Sequence, residues 1–307
     1  MTSIQSNLPP PNIDNLKDAI SKSGKPLEIV VASYLENLGW QEICNSDTFY
    51  DKETKNLREI DIVSSNQPRD IQNLQLETYL IIECKQSTKS AWIFYTRPFK
   101  FKVSDINGHY LDEAQMAAKN TEHSEIMETI LNNAELHYNK ENRVAVTADI
   151  LPRFADKNYN PEKDETGKDT IYAAENQLKK YIDWSTDQDI RKRTQVLPYS
   201  IEMYFPCIVF QGPMYEAVIV NGKVELEPTN HVLYKTLYRS RYSVYEKNVL
   251  IDIIAGEPLE EQNFLKYQNM FREDMESLYR SVSQNCGVIS RRIVETLTLL
   301  ESTHRRS

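Results

Sequence analysis

Glu83 and Lys85 are the pair in this sequence best placed to do chemistry; they stand in Tyr79-Leu80-Ile81-Ile82-Glu83-Cys84-Lys85-Gln86. Apolar and β-branched residues run straight into them, so the stretch reads as a buried strand. Alternate residues of a strand share a face. Leu80, Ile82 and Cys84 take one face, and Tyr79, Ile81, Glu83 and Lys85 take the other. Charge on a core strand is costly unless it is paired or used. A carboxylate is a hard oxygen ligand of the kind Mg²⁺ takes. An ammonium beside it can orient a water or steady developing negative charge. A structural ion pair on a half-exposed strand is the competing reading. The tripeptide alone decides nothing, because Glu53-Thr54-Lys55 repeats it inside the polar run Asp51 to Asn56, where it reads as a solvated turn.

Two further acids lie upstream. Asp61 stands in Arg58-Glu59-Ile60-Asp61-Ile62-Val63, where a period of two puts Ile60 and Ile62 on one face and Glu59, Asp61 and Val63 on the other. Glu28 stands in a segment where Leu27, Val30, Val31, Tyr34, Leu35 and Leu38 recur at helical spacing. Ser23 suits the N-cap, Pro26 the first turn and Gly39 the stop. Glu28 lies beside the apolar stripe, so it should face the protein.

The order is a helix with Glu28, a strand near 41–50, a strand with Asp61, and a strand with Glu83 and Lys85. This arrangement resembles the PD-(D/E)xK nuclease superfamily, the restriction-endonuclease-like fold, over about residues 24 to 90. Ile60 stands where the family name has proline, and the gap from Asp61 to Glu83 is long. Asp70, in Pro68-Arg69-Asp70, competes with Asp61, but it reads as a loop residue. The resemblance implies that Asp61, Glu83 and the backbone carbonyl of Cys84 bind Mg²⁺, with Mn²⁺ as an alternative. It implies that Lys85 orients or helps deprotonate the attacking water, or stabilises charge. Glu28 would hold a second metal or a water on the metal. The activity implied is that of a Mg²⁺-dependent DNA endonuclease, of restriction or host-defence type. The alternatives are an RNA or structure-specific nuclease on the same fold, and a catalytically inactive module that binds nucleic acid or a protein partner.

The chain has 307 residues and a formal net charge of −9, which argues against indiscriminate nucleic-acid binding. Positive charge for DNA must then be local. Trp92 to Lys102 interleaves aromatics with cations and nominates Arg97, Lys100 and Lys102; an amphipathic strand with core aromatics fits it equally well. Arg191-Lys192-Arg193 reads as a solvated loop. Cys44, Cys84, Cys207 and Cys286 are scattered, and the five histidines form no ligand-spaced cluster. No apolar run could span a membrane, and the N-terminus does not read as a signal peptide, so a cytoplasmic enzyme is expected.

The expected fold is one α/β domain: a restriction-endonuclease-like core with a central mixed sheet flanked by helices, a helical insertion and a long C-terminal helix. Residues 1–15 read as a flexible arm, 90–169 as an insertion with helix over 104–139 and a strand at Val144-Ala145-Val146, and 258–303 as a C-terminal helical region. A core helix is expected over Ile171 to Trp184, with Lys179 and Lys180 on its solvated face. Strands are expected at Phe205 to Gln211, Glu216 to Val220 and Asn248 to Ala255, with a hairpin turn at Asn221-Gly222. The apolar seam Phe264, Phe271, Met275, Leu278 and Val282 could pair two subunits as a homodimer, though packing on its own sheet fits better.

Overall fold

The β-branched and aromatic runs become strands of one large sheet. The computed structural model describes residues 12–21, 23–37, 40–65, 69–71, 74–99, 143–153, 168–193, 199–238 and 247–256. Helices α1 (Ile13–Ser21) and α2 (Lys25–Asn37) come first. They are followed by β1 (Gln41–Asp51), β2 (Asn56–Ser65), β3 (Arg69–Ile71), β4 (Leu74–Gln86), β5 (Ser90–Pro98) and β6 (Arg143–Pro152). Helix α3 (Lys168–Arg193) then precedes β7 (Tyr199–Gln211), β8 (Met214–Val220), β9 (Lys223–Pro228), β10 (His231–Tyr238) and β11 (Lys247–Gly256). The strand order is β1-β2-β4-β7-β11-β10-β6-β5-β8-β9, with β3 paired to β4.

This architecture corrects the expected one. The described residues form a broad mixed sheet carrying three helices, not a helix-flanked α/β core. The range expected to be a helical insertion begins and ends in sheet: β5 and β6 pair with each other from Ser90↔Pro152 to Pro98↔Arg143. The helix expected over 104–139 and the one expected from Pro258 to Ser283 lie outside the described residues. So do the C-terminal homodimer seam and most of the N-terminal arm, although the chain is already helical at Ile13.

Strand β4 sits deep in this sheet. It runs antiparallel to β2 and parallel to β7, with Leu74↔Tyr199 through Gln86↔Gln211 in register. Strand β11 continues the parallel set, with Asp252↔Cys207 and Ile253↔Ile208. Register puts Ile81, Glu83, Ile208 and Ile253 on one face. That face packs under α3 through Ile171, Ala174, Leu178, Tyr181 and Ile182. Helix α2 buries Leu27, Val31 and Leu35 and packs on β1, β2 and β4.

The helix starts differ from expectation in detail. Gly24, at φ 79°, gives its carbonyl to the amides of Leu27 and Glu28, so it begins α2. Ser23 instead donates its hydroxyl to Ile20 O and closes α1. The left-handed conformation at Gly24 carries no steric penalty, which a residue with a Cβ would incur.

Candidate active site

The site is built where the sheet ladder breaks. Strands β2 and β4 pair from Ser65↔Tyr79 to Ile62↔Ile82. The next pair outward would be Asp61 and Glu83. There, Asp61 Oδ2 accepts the Cys84 amide at 2.7 Å, so a side chain takes over as acceptor from the backbone. The other neighbour of β2 is interrupted at the same level. Strand β1 pairs Asn45↔Ile62 and Asp47↔Ile60, and between them Ser46, opposite Asp61, adopts φ 59°. Such irregularities re-aim side chains at the cost of ladder bonds.

Lys85 bridges the two acids. Its Nζ lies 2.5 Å from Glu83 Oε2 and 3.8 Å from Asp61 Oδ2. Glu83 is almost fully buried, at 1% exposure, and its Oε1 has no hydrogen-bond partner. Burial pushes the Glu83 carboxyl up to about 7, against the pull of Lys85; Asp61 adds to the rise. Burial alone would lower Lys85, but the charges of Glu83 and Asp61 outweigh it and raise the ammonium above its ordinary value. The Cys84 thiol, on the opposite face of β4, is pushed up by burial first and then by Asp61, Glu28 and Glu83. It is an inert core thiol, not a nucleophile.

These residues suit a hard divalent cation. Glu83 Oε1 is a buried carboxylate oxygen without a donor, an arrangement that costs free energy until a cation or donor meets it. A strand residue turns its N–H and C=O to the same side. The Cys84 carbonyl therefore faces the β2–β4 opening beside Asp61. Among the described residues no three His, Cys, Asp or Glu side chains gather to hold a metal. A site here consists of two carboxylates and a backbone carbonyl, with waters completing the shell, which is the kind of set Mg²⁺ accepts.

Glu28 does not join that set. It is buried in the first turn of α2, but its Oε2 is taken by Lys25 Nζ at 2.8 Å. Lys25 also donates to Glu59 Oε1 at 2.9 Å and to Ser46 Oγ at 3.0 Å. Hydrogen bonds to Glu28 and Glu59 hold the Lys25 ammonium well above its ordinary range. The Ser46 hydroxyl, followed by Lys25, keeps Glu59 below the usual carboxylate value.

The chain matches no family model, no curated protein and no solved structure. The functional reading therefore rests on the site geometry and on the motif resemblance.

The remaining candidates fall elsewhere. Arg97 stands exposed near the end of β5, five ladder steps from β4, so the sheet does not place it beside Glu83. Trp92 and Phe94 of the same strand are core; Trp92 stacks on Phe210 at 3.9 Å between ring centroids. Lys100 and Lys102 lie outside the described residues. Asp70, read as a loop residue, is in β3, paired with Gln75. The cationic run 191–193 ends α3 and is not a loop. Lys179 and Lys180 are not solvated. Lys179 is buried against Glu175, Thr236 and the Leu237 carbonyl, and Lys180 binds Asp51 at 2.8 Å. Tyr181 donates to Asp47 Oδ2 at 2.7 Å, so α3 clamps the β1–β2 hairpin that carries Asp61.

Sequence reasoning missed Lys25 and Ser46. For Lys25 a signal existed, since it precedes Glu28 by three positions on a helix, the spacing of an ion pair. Nothing in the local sequence marks Ser46 as left-handed.

Proposed function

We propose that the chain hydrolyses phosphodiester bonds of DNA with the help of a divalent cation of the Mg²⁺ type, held by Asp61, Glu83 and the Cys84 carbonyl. One observation carries the reading. At a break in a buried ladder, two carboxylates and a lysine meet, and a buried carboxylate oxygen is left without a partner. A purely structural ion pair would have no need of the open ladder; the orphaned oxygen alone does not separate the two, since Glu175, paired with Lys179, leaves one as well.

When bound, the ion would supply Lewis acidity toward a phosphoryl oxygen and a nucleophilic water at neutral pH. The protein residues supply the rest. Asp61 is aimed by the Cys84 amide, and Glu83 by the rigid pairing of β4 with β7. Lys85, beside both carboxylates, is placed to steady negative charge on the phosphoryl group and leaving oxygen. The α3 clamp on the hairpin fixes the distance between the two carboxylates, and this positioning lowers the barrier without further chemistry. The excess of acids, 45 against 36 lysines and arginines, favours a short contact with the polyanion over extended tracking. The choice of DNA, and a restriction or host-defence role, rest on the motif resemblance.

Supercoiled-plasmid nicking tests the reading. Nicking is expected with Mg²⁺ or Mn²⁺ and not with Ca²⁺ or EDTA. Asp61→Asn and Lys85→Ala should each cost roughly 100-fold or more, as loss of a charge-stabilising group does, while Lys55→Ala stays at the wild-type rate. A Lys85→Ala protein that nicks normally would remove the assignment. Cleavage of RNA but not plasmid would redirect it to an RNA nuclease.

A further inference from the structure

We propose that Lys25 is a positioning residue that commits Glu28 to a bridge across three elements and so limits the site to one divalent cation. The inference rests on the site reading above and deepens it. An ammonium has three hydrogens, and Lys25 spends them on three acceptors: Glu28 in its own helix, Ser46 in β1 and Glu59 in β2. The geometry is directed, not incidental. Ser46 takes a left-handed backbone at the position facing Asp61, and Glu59 lies two residues from Asp61 on the same strand. Lys25 thus ties the first turn of α2 to the strand that carries Asp61 and to that strand's neighbour β1.

The electrostatic consequence concerns Glu28. It is buried, so its charge needs a partner, and Lys25 fills that need. A cation at Glu28 would have to displace Lys25 or sit beside it, at the cost of repulsion between two positive charges; Lys85 poses the same cost at Glu83, where the partnerless Oε1 leaves a buried oxygen for the cation to meet. By the motif resemblance, Glu28 would be the ligand for a second ion or for a water on the metal. With that ligand taken, the carboxylates left for a cation are Asp61 and Glu83, in keeping with the absence of a three-carboxylate group among the described residues. Lys25 is itself half exposed, so its two ion pairs are screened by solvent. Its effect is to be read in binding stoichiometry.

The test is Mn²⁺ titration of the full chain by calorimetry, with bound Mn²⁺ counted by electron paramagnetic resonance. Wild type should bind one Mn²⁺. Glu28→Gln should keep that stoichiometry, with Kd changed by less than about threefold. Lys25→Met should expose Glu28 and Glu59 and add a second, weaker Mn²⁺. Lys25→Arg should keep one, and Lys25→Met with Glu28→Gln should return to one. A wild-type protein that binds two Mn²⁺ and loses one in Glu28→Gln overturns the proposal, as does a Lys25→Met protein that still binds one. Asp61→Asn separates the two levels of the argument. If it abolishes Mn²⁺ binding, the site stands whatever Lys25 does. If wild type binds none, or Asp61→Asn binds as wild type does, the site itself is wrong and the role of Lys25 falls with it.

Discussion

Glu83→Gln should change how stability depends on pH, and its size follows from the burial of this one carboxyl. An ordinary glutamate titrates near 4.5, and in the fold Glu83 is pushed up to about 7. Below 4.5 both folded and unfolded chains hold the proton, and the fold has its full stability. Between 4.5 and 7 the unfolded chain releases the proton while the folded chain keeps it, so stability falls as pH rises. Above 7 the loss is complete. At roughly 1.4 kcal/mol for each pH unit, the gap amounts to about 3 kcal/mol. Glutamine keeps the shape and an oxygen for Lys85 but cannot titrate. The amide carries a cost of its own, because Lys85 loses a countercharge. That countercharge exists only where Glu83 is ionised, so it is already contained in the shift of the Glu83 carboxyl and is not counted again. Urea unfolding in EDTA from pH 4 to pH 8 should therefore show the wild-type protein losing about 3 kcal/mol relative to Glu83→Gln. Added Mg²⁺ should restore wild-type stability at pH 8 and do little at pH 5, where the carboxyl is protonated. Parallel pH profiles for the two proteins would refute the claim that Glu83 is a desolvated, titrating carboxyl.

Lys179→Ala should cost about 3–5 kcal/mol, because it leaves the buried Glu175 charge uncompensated. Glu175→Gln with Lys179→Met should recover most of that loss in chemical denaturation. Gly222→Ala should destabilise by about 1 kcal/mol through its backbone at φ 76°, with nothing within 4 Å for the new methyl to strike; thermal melts of Gly24→Ala, also left-handed and with nothing within 4 Å, should show a similar loss.

What could be read in advance was local. The helical spacing of Leu27, Val31 and Leu35 places α2, and the apolar runs around Asp61 and Glu83 place β2 and β4 as strands, although Ile60 packs with Val63 under α3 and not with Ile62 as strict alternation expects. Asn221-Gly222 gives a two-residue hairpin with both residues left-handed, at φ 52° and 76°. Architecture was not legible, because it depends on distant pairings. Nothing near Trp92 announces that its strand joins β6 and β8, or that its indole stacks on Phe210. Strand β10 was missed altogether: His231 to Tyr238 mixes buried Val232, Leu233 and Tyr234 with partly exposed polar residues, and it is fixed as sheet by β11 and β6. For the site, residue types could be read from the strands, but partners could not. Lys180 looked like a surface lysine until the fold brought Asp51 to it across more than a hundred residues.

The thirteen in-register pairs between β4 and β7 have a consequence for biosynthesis. Cys84 has its parallel partner in Val209, so the strand that bears Glu83 and Lys85 cannot be covered until Gln211 has been made. At about 5–20 residues per second, β4 waits on the order of ten seconds after its own synthesis. During that time the β1–β2 hairpin and its pairing with β4 can form from nearby residues, but the far side of β4 is a bare edge. The two carboxylates can be near each other this early, yet Glu83 is still wet and ordinary in its acidity. The arrival of α3 over its face and of β7 at its edge desolvates it. A chain cut short before β7 thus keeps an apolar strand edge that invites aggregation in place of the closed cluster of Asp61, Glu83 and Lys85.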